Sequence, residues 1–172
     1  HKANIMKLTD GMFIRCARAV HDAEFAEIGY QEMIIDAGCM ALVQDPTRFD
    51  LLLLENLYGD VLSDLTAGLV GGLGVVPGGN IGDRAAVFEA VHGSAPDIAG
   101  RNLANPLALL MSAVMMLNHL GETRDDEACA MAARRIRDGY NRALAEGAKT
   151  RDLGGTLGTS EFAEAIVRQL PD

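Results

Sequence analysis

Asn56-Leu57-Tyr58-Gly59-Asp60-Val61-Leu62-Ser63-Asp64 is the stretch on which the reading of this chain turns. It follows a short apolar run, Phe49-Asp50-Leu51-Leu52-Leu53-Leu54-Glu55, whose length and composition predict a buried strand. A polar turn with Gly59 comes next, and a helical pattern begins at about Asp60. Asp60 and Asp64 are four apart, so on a helix both carboxylates face one way. Two anions so placed repel unless something positive sits between them. Hard oxygen ligands of this kind suit Mg²⁺ or Mn²⁺. The plainer reading makes Asp60 a helix cap and Asp64 a solvated residue. The surrounding sequence decides between the two.

Working outward, the 172 residues are enough for one domain or two small lobes with a real core. Half the chain is apolar and 19 residues are Gly, which fits a Gly-punctuated α/β protein. The net charge of −9 argues against nucleic acid and against an anionic membrane surface as partners. An acidic protein that handles an acidic substrate must place its cations locally or borrow a metal. Cys16, Cys39 and Cys129 are odd in number and widely spaced, with no Cys-x-x-Cys. That predicts neither a zinc site nor a disulfide framework, but reduced, buried thiols in a cytosolic-type compartment. The longest apolar run, Leu107 to Leu117, is too short to span a bilayer. The chain begins with His1, and its first residues read as the inside of an element, so a piece of a longer protein is expected.

In order, His1 to Met6 reads as the end of a strand entering a loop. Thr9 or Asp10 can cap a helix running to about Phe25. Glu27 to Gln31 reads as a short strand. A helix follows from about Glu32 to Gln44, stopped before Pro46 and carrying a Met33, Ala37, Met40, Ala41 stripe suited to core or subunit contact. Asp36 on that helix has no cation at helical spacing and reads as an exposed residue. Gly68 to Gly82 is the strongest punctuation in the chain and the best lobe boundary. Pro77 stands where a Gly-x-Gly-x-x-Gly would need its last Gly, so the ordinary dinucleotide fingerprint is absent, and a tight interlobe turn explains many of these glycines. Ala85 to Val91 is a strand pattern. Asn105-Pro106 opens a nearly all-apolar helix to about Leu120, ended by Gly121. A charged helix covers about Asp126 to Glu146, a Gly-rich loop Arg151 to Gly158, and Ser160 caps a last helix to about Leu170.

The loop His92-Gly93-Ser94-Ala95-Pro96-Asp97-Ile98-Ala99-Gly100 lies between a strand and a capped helix and is shaped for a ligand. Small residues let a flat ring approach the backbone, and His92 can stack or hydrogen-bond. Asp97 could accept from both hydroxyls of a ribose and would repel a 2′-phosphate. An ordinary surface loop with an Asp turn is the competing reading. Gly-rich segments, a ribose-suited Asp and a metal-suited Asp pair together point to a nucleotide-dependent, metal-assisted reaction.

Four segments carry a resemblance. They are His1-Lys2-Ala3-Asn4-Ile5-Met6-Lys7, Asn56 to Asp64, Gly71 to Gly82, and His92 to Gly100, with Asn105-Pro106 and Asp152-Leu153-Gly154-Gly155 behind them. In order and spacing they resemble the metal-dependent β-decarboxylating dehydrogenases, the isocitrate and isopropylmalate dehydrogenase family. The resemblance covers the whole chain but only about the C-terminal half of a family member. It implies an α/β, isopropylmalate dehydrogenase-like fold in part, distinct from the Rossmann arrangement. Residues 1–70 would be a small α/β lobe carrying the metal and catalytic residues and the dimer interface. Residues 71–172 would be the C-terminal part of the large cofactor-binding lobe.

Residue by residue, the resemblance implies that Asp60 and Asp64 hold Mg²⁺ or Mn²⁺ on one subunit. Asp36 would reach the same metal from the neighbouring subunit of a homodimer or higher oligomer. Lys2 would be the catalytic lysine, also presented across the dimer, with Asn4 near the nicotinamide end. Glu89, the loop His92, Gly93, Ser94, Ala95, Pro96, Asp97 and Ile98, and Asn105 would line the cofactor site. NADP-using members tend to carry Lys where Asp97 stands, so Asp97-Ile98 is similar to the NAD form. His1 to Met6 and Asp10-Gly11-Met12-Phe13 most resemble the NAD-dependent isocitrate dehydrogenases, which act on a 2-hydroxy tricarboxylate. Homoisocitrate and 3-isopropylmalate dehydrogenases are the alternatives, as is a noncatalytic, truncated or regulatory nucleotide-binding chain. The family's substrate-recognising Ser, several Arg residues and the catalytic Tyr belong to the other half. The implied location is cytoplasmic or the mitochondrial matrix.

Overall fold

The computed structural model describes residues 1–171, and they divide into two compact units, His1–Leu69 and from Val70 onward.

The first unit is built on α1 (Thr9–Glu24), α2 (Ile35–Gln44) and α3 (Asn56–Val70). α1 ends within a residue of its expected end, closed by the Phe25 N–H on the His21 carbonyl. Its start differs in kind. No side chain caps it, because Asp10 is turned inward and is only 1% exposed. α2 stops ahead of Pro46 as the sequence requires, since the residue before proline is driven out of the helical region. Ala41 and Leu42 are its buried face, while Met40 stays exposed. α3 begins at Asn56, a turn earlier than the spacing predicts, so Asp60 is an interior helical residue and not a cap. Leu62 and Ala67 are its buried residues.

Two expected strands are not formed. Residues 27–31 and the leucine run 49–55 are irregular, and His1 to Met6 is a turn. A strand exists only where its N–H and C=O groups find a ladder. Among the described residues the only sheet lies in the second unit. Leu51 and Leu53 are consequently 81% and 61% exposed. The run forms one wall of an apolar groove that also takes in Phe13, Ile14, Leu42 and Leu62.

The second unit opens with a hairpin. β1 (Pro77–Ile81) pairs antiparallel with β2 (Ala86–Ala90), with Pro77 opposite Ala90 and Ile81 opposite Ala86. β1 falls inside the glycine tract that reads as a turn. Only Gly71 and Gly72 turn the chain, at φ +128° and +102°. Gly78 and Gly79 serve close packing instead. A Cβ on Gly78 would stand 3.0 Å from the Glu89 carbonyl oxygen, and one on Gly79 would stand 3.2 Å from the Phe88 ring.

α4 (Leu107–Arg124) packs on this hairpin and on α5 (Glu127–Ala145), which in turn packs on α6 (Thr159–Arg168). The core they share is Leu107, Val114, Ala133, Tyr140, Phe162 and Ile166, with Phe162 fully buried. Gly121 does not end α4. It lets α5 approach, since a Cβ there would lie 3.2 Å from the Ala130 methyl, and the helix instead ends at Asp125 in the left-handed region. Asp126 caps α5 by accepting the Cys129 N–H at 3.1 Å. Ser160 is not the cap of α6. Its N–H and hydroxyl both donate to Asn102 Oδ1, at 3.0 and 2.9 Å. Cys16, Cys39 and Cys129 are unpaired, but none is buried as expected: Cys16 is exposed, and Cys39 and Cys129 are half-buried. Among the described residues no helix is long and apolar enough to cross a membrane.

Candidate functional site

Lys2 is held at both ends. The Lys2 carbonyl accepts the N–H groups of Ile5 and Met6 at 2.9 and 2.8 Å, closing a tight turn that displays the side chain. Its own N–H donates to Asp10 Oδ2 at 2.6 Å. Its ammonium is paired with Asp36 Oδ2. The Lys2 side chain is 25% exposed and that of Asp36 66%, so the pair lies at the surface.

Asp36 sits in the first turn of α2, where the helix N-terminus favours an anion. The hydrogen bond from Lys2 holds its carboxyl below the ordinary range. A depressed carboxylate stabilises the fold above its unfolded-state pKa. It loses that contribution as pH falls through the lowered value. The Lys2–Asp36 pair is therefore intact at neutral pH and opens only in acid. Asp10 is lowered too, first by the Lys2 N–H, against the opposing pull of burial. Burial and the neighbouring Asp10 carboxylate push the Tyr58 phenol up, so it remains a proton donor.

Asp60 and Asp64 lie on one face of α3, exposed. Among the described residues neither has an ion-pair partner. Among those residues, too, no three His, Cys, Asp or Glu side chains come together as a metal site, so one chain does not assemble Asp36 with Asp60 and Asp64. Asn4 is exposed in the first turn.

In the second unit the loop after β2 carries the remaining candidates. His92 Nδ1 lies 2.9 Å from the Gly93 carbonyl oxygen. Ala95 adopts a left-handed φ of +41°, an uncommon backbone for a residue with a side chain. Pro96–Ile98 is a single 3₁₀ turn, and Arg101 Nη1 donates to the Asp97 carbonyl at 3.2 Å. The Asp97 and Ser94 side chains are exposed. Glu89, on β2, is exposed and accepts from Asn80 Nδ2 at 3.4 Å. Its carbonyl accepts from the buried Ser112 hydroxyl at 2.8 Å, which ties the strand leading into the loop to α4. Asn105 has both ends of its amide engaged. Oδ1 accepts the Leu107 N–H at 2.9 Å, and Nδ2 donates to Asp152 Oδ2 at 2.9 Å. Gly74 makes room for that bond, since a Cβ there would meet Asp152 Oδ2 at 2.8 Å.

The structure thus joins Lys2 to Asp36 and Asn105 to Asp152. Sequence reasoning missed Asp10, Ser112 and the link of Asp152 to Asn105. Asp10 reads as a helix cap, and its inward turn leaves no periodic signal. Ser112 interrupts an apolar run, which is a usable sign of a buried hydroxyl with a carbonyl to satisfy. Chemically, the first unit offers an anchored ammonium and exposed carboxylates, and the second a loop of small residues that presents an exposed Asp97.

A family profile described as isocitrate/isopropylmalate dehydrogenase matches residues 1–166. Catalytic subunit 5 of the mitochondrial NAD isocitrate dehydrogenase of Arabidopsis thaliana is 54% identical over 172 residues, covering 99% of this chain and 44% of that protein. A regulatory subunit of the mitochondrial NAD isocitrate dehydrogenase of Dictyostelium discoideum is 49% identical over 174 residues, covering 100% and 47%. The crystal structure of isocitrate dehydrogenase from Methylococcus capsulatus superposes with a TM-score of 0.88 at 48% identity, covering 98% of this chain and 48% of that one. The chain spans about half the length of the relatives it matches.

Proposed function

Because the chain belongs to the isocitrate/isopropylmalate dehydrogenase family, we propose that it supplies the lysine-, metal- and cofactor-bearing half of an NAD-dependent decarboxylating dehydrogenase acting on isocitrate. One observation carries the reading. The small first unit presents Lys2, held to Asp36, together with the Asp60 and Asp64 pair on one face of α3.

Asp60 and Asp64 fit a hard divalent cation, being carboxylates without ion-pair partners among the described residues, whereas Asp36 is paired with Lys2. Asp60 and Asp64 would hold Mg²⁺ or Mn²⁺, with Asp36 arriving from a second subunit. When bound, the metal would supply Lewis-acid polarisation of the substrate's oxygen atoms, and NAD⁺ would be the hydride acceptor. Lys2 moves the proton at its Nζ, oriented by Asp36. Asp97 accepts the ribose hydroxyls, and the small residues from Gly93 to Ala95 let the adenosine portion lie against the backbone. Asn4 would lie toward the nicotinamide. Reduced, unpaired cysteines suit the cytoplasm or a mitochondrial matrix, and the Arabidopsis and Dictyostelium relatives named above are mitochondrial.

The test is a hybrid in which these 172 residues replace the aligned stretch of a full-length NAD isocitrate dehydrogenase chain. A second hybrid uses an isopropylmalate dehydrogenase as recipient. The isocitrate hybrid is expected to turn over with Mn²⁺ and to prefer NAD over NADP. In it, Asp97→Asn raises the KM for NAD about tenfold, the loss of charge-assisted hydrogen bonds to the ribose. A working isopropylmalate hybrid beside a dead isocitrate hybrid assigns these residues to the isopropylmalate branch of the family instead. The likeness to a regulatory chain supports a second reading, a nucleotide-binding chain without chemistry. Saturable NAD binding with no turnover in either hybrid selects it.

A further inference from the structure

Asp10 is the one acidic residue in the described structure that is almost wholly removed from solvent, at 1% exposure. A carboxylate is placed there at a desolvation cost that only good partners offset. Its partners are specific. Oδ2 accepts the Lys2 N–H at 2.6 Å, a short charge-assisted bond, and Oδ1 accepts the Thr9 hydroxyl at 3.1 Å. The Tyr58 phenol, on the first turn of α3, donates to Met6 Sδ at 3.5 Å and lies near enough to Asp10 to help lower its carboxyl. The acidic group sits in the first turn of α1, where the helix field favours it. Its three neighbours therefore come from the Lys2 turn, from α1 and from the helix that carries Asp60 and Asp64.

We propose that Asp10 is a positioning residue for the reaction: its carboxylate fixes the Lys2 backbone so that the ammonium is delivered to Asp36. The proposal rests on the reading of Lys2 as the proton-moving lysine. A lysine side chain has four flexible bonds, and a tether at its tip alone would leave the arm mobile. Anchoring the backbone at one end and the ammonium at the other removes that freedom before substrate arrives. This is preorganisation, and it lies outside the groups that touch substrate.

The test uses the chain itself and reads Lys2 directly. There are three lysines, Lys2, Lys7 and Lys149, so acylation at each is resolved by mass spectrometry. Amide exchange at Lys2 is followed in parallel. In Asp10→Ala, Lys2 amide exchange is expected to quicken about tenfold or more. Lys2 acylation rises relative to Lys149, and amides within α1 and α3 hold their protection. Asp10→Asn keeps an acceptor oxygen but loses the charge, and so loses less Lys2 protection than Asp10→Ala. If Asp10→Ala does not fold, Asp10→Asn decides, by a smaller loss confined to Lys2. Wild-type exchange and acylation at Lys2 in a folded variant overturn the proposal. So does a change spread evenly over α1 and α3. Neither readout involves NAD, metal or substrate, so a failure of the tether is distinguishable from a failure of the dehydrogenase reading.

Discussion

Lys2→Met in the isocitrate hybrid lowers kcat by about 10²–10⁴-fold, the range for losing a positioned general acid or base. Methionine keeps much of the length and apolar character of the lysine stem but carries no proton. The tight turn at residues 2–6 is held by backbone hydrogen bonds, and Asp10 reaches the Lys2 N–H rather than the side chain. The fold of the first unit should therefore survive the change. What disappears is the ammonium beside Asp36. Without it the Asp36 carboxyl loses the main cause of its lowered pKa and titrates nearer the ordinary range. The measurement is steady-state kinetics across pH, with NAD binding as the control. A loss confined to kcat, with NAD affinity kept, is the expected pattern. Turnover within a few-fold of the parent hybrid would remove Lys2 from the chemistry.

Asp60→Asn weakens Mn²⁺ binding by a factor of about 100 or more, since even residues one layer outside a metal's ligands commonly cost ten- to a hundredfold. The amide keeps shape and one acceptor oxygen but loses the charge, so high Mn²⁺ should restore part of the rate. Stability moves the other way. Asp60 and Asp64 are like charges one turn apart on an exposed helix face, and such pairs destabilise. The variant should melt at the same temperature as its parent or slightly above it. A manganese titration by electron paramagnetic resonance, beside a melt, reads both signs at once. Unchanged manganese affinity would sink the metal assignment, whatever the activity.

What the sequence made legible was set by local chemistry. Lys2 could be named because the first segment is specific, and Asp36 only through the family resemblance, yet nothing in their spacing says that they meet across 34 residues. The helix ends at Glu24, Gln44 and Ala145 follow from caps, proline and periodicity. Failures came where tertiary packing chose the residue. Gly78, Gly79 and Gly121 look like breakers, but each makes room for a neighbour, so composition pointed to turns inside a strand and a helix. Ser160 has the chemistry of a cap, yet Asn102, 58 residues away, does that work. The leucine run at 49–55 has every local mark of a strand and lacks only a partner, which no local rule can supply. Asp10 is legible as a helix-start residue, while its inward turn is settled by the Lys2 N–H it receives.

The pairing of Lys2 with Asp36 has a genetic consequence. Both side chains belong to one polypeptide, so in a dimer that shares its sites they are contributed together, opposite the Asp60 of the other protomer. Defects in the two classes should then complement. A mixed dimer of one Lys2→Met chain and one Asp60→Asn chain confines both lesions to the same site and leaves the other wild type, so at low Mn²⁺ activity returns on mixing two impaired parents. Lys2→Met mixed with Asp36→Asn spoils both sites and stays silent. The pattern of rescue sorts these residues into two inheritance groups by which protomer lends them.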